Sequence, residues 1–163
     1  MDQCRCDTLH TLAVVDMGNH EAIFQSLERV RDRGAPYWWL YARECRVCKT
    51  LWVVAQEERQ NDIFILRKLE PPADGLLLRD NVWPPDFERY EALLEIGRDY
   101  GRAVRFAEPE DSSLVWTIAD LAKERPGISV SRLASLLNLT AETAAKLARR
   151  VVDNEGVDIT FDR

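Results

Sequence analysis

The stretch YWWLYARECRVCKTLWVV, residues 37–54, carries three tryptophans and two cysteines in eighteen positions. Apolar residues occupy both registers of what reads as extended chain: Tyr37, Trp39 and Tyr41 point one way, Trp38 and Leu40 the other. A strand of this kind cannot lie on a surface with one side in water. It demands a cover on each face of its sheet. The only interruption is CRVC, which falls where two strands would be joined by a tight connection.

Three segments carry the same aromatic and β-branched signature: PYWWLYA, TLWVVA and NDIFILRKL. Their short connections predict an antiparallel meander. Upstream, LHTLAVV predicts a first strand. Asn19 is a suitable N-cap for a helix from His20 to about Arg33, with Ile23, Phe24, Leu27 and Val30 on one face and Gly34 and Pro36 ending it. That helix is expected to cover one face of the sheet. The second face then needs the central segment, a subunit or a partner. An exposed aromatic face would place Trp38, Leu40 and Trp52 as partner-binding residues. QEERQND reads as a solvated hairpin loop holding Glu57 and Glu58, and LEPPADG as a linker or sharp turn.

Beyond that point Pro84 and Pro85 lead into a helix near 86–100, and RAVRF can add a strand. Ser112 or Ser113 can cap a helix that runs to Pro126-Gly127. A short second helix follows in ISVSRLASLLN, then a tight turn, then a third helix capped by Thr140, then the strand VDITF. The expected fold class is α+β: a metal-clipped antiparallel sheet with one helix over 1–70, a connector over 71–110, and a helical domain over 111–163.

All four cysteines fall into chelating pairs, Cys4-x-Cys6 and Cys45-x-x-Cys48. Two thiols close in sequence let one backbone bend aim both sulfurs at one ion, and two such bends complete a tetrahedron. A redox C-x-x-C would open a helix, where the helix N-terminus lowers the thiol pKa. Here TLWVV follows, which is strand grammar. The competing reading is four free buried thiols. His10 and His20 stand as reserve ligands. The C-x-x-C between two strand candidates resembles the knuckle of a zinc ribbon, with Lys49 where such knuckles commonly carry glycine. That resemblance implies a structural zinc on Cys4, Cys6, Cys45 and Cys48, with no position open for catalytic water.

Residues 114–161 resemble a winged helix-turn-helix domain. In DNA-binding members the third helix enters the major groove, which here implies Thr140, Thr143, Lys146, Arg149 and Arg150 as candidate DNA contacts. Charge opposes that role: the chain carries a net −6, and each of its three segments is acidic. No Gly-rich phosphate loop, nucleophile elbow or H-E-x-x-H occurs, and two histidines leave little acid–base capacity, so no enzyme is expected. No apolar run approaches the roughly 20 residues of a spanning helix. The start lacks the basic and apolar regions of a secretory signal, so a cytoplasmic location is expected.

Two functions fit. One is a non-catalytic module binding a protein partner, its acidity suiting a basic one. An immunity or antitoxin-type neutraliser of a nucleic-acid-degrading partner is one form of it. The other is a winged-helix transcriptional regulator whose zinc-bearing part dimerises or senses.

Overall fold

The computed structural model describes residues 3–100 and 113–162. The expected strand at 102–106 and the cap at Ser112 lie outside the described residues. Content is mixed α+β, built on a five-stranded antiparallel sheet. Its strands are β1 (Leu12–Asp16), β2 (Leu27–Asp32), β3 (Trp39–Cys45), β4 (Leu51–Glu57) and β5 (Ile63–Leu69), in the order β1-β5-β4-β3-β2.

The helix expected over 20–33 is corrected by this arrangement. Only one turn forms, α1 (Glu21–Phe24), and the remainder is β2, paired along β3. Local spacing of Ile23, Phe24, Leu27 and Val30 fits a helix, but the open edge of β3 offers a ladder of backbone hydrogen bonds that outweighs propensity. The register gives the conflict away. Arg29 pairs with Arg43 and Arg31 with Ala42, so Val30 is left over as a bulge, 44% exposed. Bulge and charges together make this edge a poor template for further pairing.

Both faces of the sheet are buried, as its two-sided apolar pattern requires. On the first face Trp38, Leu40, Val53, Ala55, Ile63 and Ile65 belong to one continuous core cluster. That cluster also takes in buried residues of α3 (Tyr90–Tyr100), α4 (Ser113–Glu124), α5 (Val130–Leu137) and α6 (Ala141–Glu155). On the second face Tyr41, Cys45, Trp52, Val54, Phe64 and Leu66 form a smaller cluster, closed by Cys6, Phe24 and Leu27. The cover expected from a long helix is thus supplied on that face by the chain's first two dozen residues.

Residues read as a linker at 69–75 run into a helix, α2 (Ala73–Asp80), because Leu77 finds a fully buried place in the first core. Helix α2 ends at Asn81 in the left-handed region. The loop reading of QEERQND fails at Glu57. This side chain is 1% exposed and accepts N–H groups of Arg59 (3.0 Å), Gln60 (3.0 Å) and Asn61 (2.7 Å), plus the Tyr90 hydroxyl (3.0 Å). Glu58 is exposed, as a turn residue should be. Arg59 continues the link to the helices with a 2.6 Å ion pair to Asp120.

The C-terminal helices follow their sequence signals closely. Gly127, at φ +78°, follows the end of α4. Ser129 caps α5, and Thr140 caps α6 by accepting from Thr143 N at 3.1 Å. The closing strand β7 (Ile159–Thr160) pairs in parallel with β6 (Ile128–Ser129). Among the described residues no second strand follows α6, so no hairpin wing is built there.

Candidate metal centre

The β3–β4 hairpin turns at residues 46–49 and brings Cys45 and Cys48 round one bend. Lys49 N donates to Cys45 O at 3.0 Å, and Cys45 N donates to Thr50 O at 2.9 Å. Closing so tight a knuckle forces Lys49 to φ +61°. That is the left-handed conformation for which glycine serves without penalty, so the departure from the ribbon pattern carries a strain of roughly 1 kcal/mol. Glycine loses part of that gain through its freer unfolded chain. Lys49→Gly is therefore expected to raise the stability of the metal-loaded protein by about 0.5 kcal/mol, read as a shift in urea midpoint.

The chain's start approaches the same bend from across the second face. A short 3-10 turn (Cys6–Thr8) holds Cys6 inward against the core of that face, while Cys4 stays partly buried. All four sulfurs lie within 4.8 Å of one another. Cys4 and Cys48 are 3.6 Å apart, and Cys45 and Cys4 are 3.8 Å apart. An ion at about 2.3 Å from each of four sulfurs sets tetrahedral edges near ~3.8 Å, so the cluster has the size of a four-thiolate site. Neither histidine belongs to it. His20 Nδ1 meets Met17 O, and its ring packs on Phe24 and Phe64 with centroids 5.8 and 5.0 Å away.

The two arms differ electrostatically. Burial works to raise the Cys45 thiol, but the N–H groups of Cys48 and Val47 and the Ser26 hydroxyl (3.6 Å) overcome it and lower the thiol to about 6. Cys48 is lowered too, against burial, by the hydroxyl (3.2 Å) and N–H of Thr50. Cys6 is driven well up by burial, although Trp52 works against the shift. Cys4 is raised as well: the Cys6 N–H opposes the shift, and burial and its neighbours Cys48 and Cys45 prevail. The hairpin arm thus offers anionic sulfur first, and an ion must displace protons from the N-terminal arm.

Sequence reasoning identified all four thiols but missed Ser26 and Thr50. Ser26 falls in the segment expected as a helix, and Thr50, although it opens the expected strand TLWVVA, carries no local sign that its hydroxyl turns to Cys48. The three tryptophan-rich candidates need correction. Trp38 (5% exposed), Leu40 and Trp52 are core residues. They do not even share a face, because the register pairs Trp52 with Arg43 and so places it with Tyr41. The exposed aromatic of this region is Trp39, at 57%. It lines a cleft of about 540 Å³ with Gln56 and Glu58. Gln56 also borders a second cleft, of about 770 Å³, with Phe24, Tyr41, Arg43 and Phe64.

On α6, Lys146, Arg149 and Arg150 are exposed and Thr143 is half-buried, while Thr140 spends its hydroxyl on the cap. Arg149 lies over the Phe161 ring, 5.6 Å from its centroid. Among the described residues no helix is long and apolar enough to cross a membrane. No family model matches this chain, and no curated protein or solved structure matches it either.

Proposed function

We infer that this chain is a non-catalytic protein-binding module held together by a structural zinc. The observation that carries this reading is the convergence of four thiols, and nothing but thiols, from two distant segments into one tetrahedron-sized cluster. Four thiolates fill four positions and suit Zn²⁺, as in a zinc ribbon, and a filled site holds structure rather than water for chemistry. The ribbon likeness extends to the hairpin knuckle. Of the other two thiols, Cys6 opens the 3-10 turn and Cys4 lies just ahead of it.

The partner surface moves from the buried tryptophans to Trp39. An exposed indole sharing its cleft with Glu58 suits a lysine or arginine side chain, which gains cation–π and carboxylate contact together, while Arg59 of the same cleft is engaged by Asp120. The net charge of −6 would steer a basic partner towards it. A neutraliser of a nucleic-acid-degrading protein, acting in the cytoplasm, is one such pairing. The test is capture on zinc-loaded full-length protein from lysate of the source cell. A stoichiometric basic protein is expected, released by salt and retained at least tenfold less by Trp39→Ala. Recovery of no stoichiometric partner, or equal capture by Trp39→Ala, would contradict the reading.

A second reading rests on Lys146, Arg149 and Arg150, three exposed cations on the third helix of a winged-helix-like unit. As a regulator the chain would hold duplex DNA through that helix. Exposed Glu142 and Asp153 on the same helix weaken its pull on phosphate. Anisotropy of a labelled random duplex separates the two readings. No binding at low salt is expected. Micromolar, steeply salt-dependent binding, lost when both Arg149 and Arg150 become Glu, would establish the regulator instead.

A further inference from the structure

We propose that Cys48 is an oxidation site for hydroperoxides, and that its oxidation replaces the metal staple by a Cys4–Cys48 disulfide. The inference rests on the same four-thiol centre and adds to it an order among the thiols. Cys45 is completely buried and Cys6 nearly so, whereas Cys48 is exposed at the tip of the hairpin beside exposed Val47. Cys4, half-buried, lies 3.6 Å from the Cys48 sulfur. The outer half of the cluster is therefore a reachable sulfur with a resolving sulfur next to it.

The chemistry balances with the hydroperoxide as the only oxidant. The Cys48 thiolate attacks the peroxide O–O bond: an S–O bond forms, the O–O bond breaks, and the alkoxide leaves with a proton as the alcohol. The sulfur is oxidised by two electrons to a sulfenic acid. The Cys4 thiolate then attacks that sulfur, forming S–S and breaking S–O, and hydroxide leaves with a second proton as water. Two of four ligands are lost in the exchange, so the ion loses its hold. The fold does not, because the new bond joins the same two segments that the ion joined.

This sequence makes the test unambiguous. Trypsin cuts after Arg5, Arg29, Arg43, Arg46 and Lys49, so each cysteine falls on its own peptide: 1–5, 6–29, 44–46 and 47–49. Zinc-loaded full-length protein is assayed for metal, then treated with hydrogen peroxide, followed with a chromogenic zinc chelator, and mapped by mass spectrometry without reduction. The dominant link is expected between peptides 1–5 and 47–49, appearing in step with zinc release. Cys48→Ser is expected to slow thiol loss at least tenfold. A dominant link between 44–46 and 47–49, or between 1–5 and 6–29, overturns the proposal, as does equal thiol loss in Cys48→Ser. Protein that carries no metal yet forms the 1–5 to 47–49 link refutes the zinc reading alone.

Discussion

Replacing Cys45 and Cys48 together by serine is expected to remove the metal and cost the protein about 4 kcal/mol or more. Structural zinc supplies roughly 10–16 kcal/mol in small fingers that have little else. This chain has its own sheet and core, so the loss is smaller, but it is concentrated. Ahead of the β1 ladder, which begins where Lys68 N meets Thr11 O at 2.8 Å, residues 4–10 are fixed to the second face chiefly through Cys4 and Cys6. Freed of the ion, that arm uncovers Trp52, which it helps to bury completely. The double variant should melt at least about 8 °C lower, at ~2–4 °C per kcal/mol for a chain of this size. Its tryptophan emission should shift to the red, and a chelator should do the same to wild type. Val47→Ala, at the exposed hairpin tip, should stay within about 0.5 kcal/mol of wild type. Equal melting of wild type and double variant would dismiss the staple.

Glu57→Ala is the second large effect, expected at about 3–5 kcal/mol. The carboxylate accepts from three turn N–H groups and the Tyr90 hydroxyl, and each buried donor left bare costs roughly 1–3 kcal/mol. Glu57→Gln should lose less, since one amide oxygen remains, although its NH₂ then faces a donor. The pH dependence has a definite sign. Burial raises the Glu57 carboxyl above its ordinary 4.5, overriding the lowering by Asn61, Tyr90, Gln60 and Arg59. A carboxyl raised on folding contributes stability that is full below 4.5 and is lost as pH climbs through the folded value. Wild type should therefore exceed Glu57→Gln by most at low pH, with the gap narrowing towards neutrality. Urea titrations at several pH values, with metal saturating, check both claims. A gap that widens with pH would show the carboxylate to be favoured in the fold instead.

Why the sequence revealed some of this and hid the rest follows from how local each signal is. Cys45-x-x-Cys48 between strand-like runs is a local pattern, and a knuckle was legible from it. The N-cap at Thr140 and the stop at Pro126-Gly127 are equally local and appear where expected. That β3 to β5 need a cover on both faces was legible too, because apolar residues fill both registers; that the chain itself supplies both covers was not. Strand β2 was hidden because its pairing partner is set by an edge a dozen residues away, while its own spacing mimics a helix. The inward course of Glu57 has a local sign in the strand before it: Leu51, Val53 and Ala55 face the first core, and the same alternation carries residue 57 inward. Composition of the QEERQND loop masked it. Trp52 was misplaced by register, which one residue of hairpin length decides.

The central proposal is that four thiolates hold a zinc ion. X-ray absorption at the zinc edge, on full-length protein purified without added metal or chelator, measures it directly. The expected result is one zinc per chain with four sulfur neighbours at about 2.3 Å and no nitrogen or oxygen in the shell. Protein that carries no metal, or an ion whose shell includes histidine nitrogen, would contradict it.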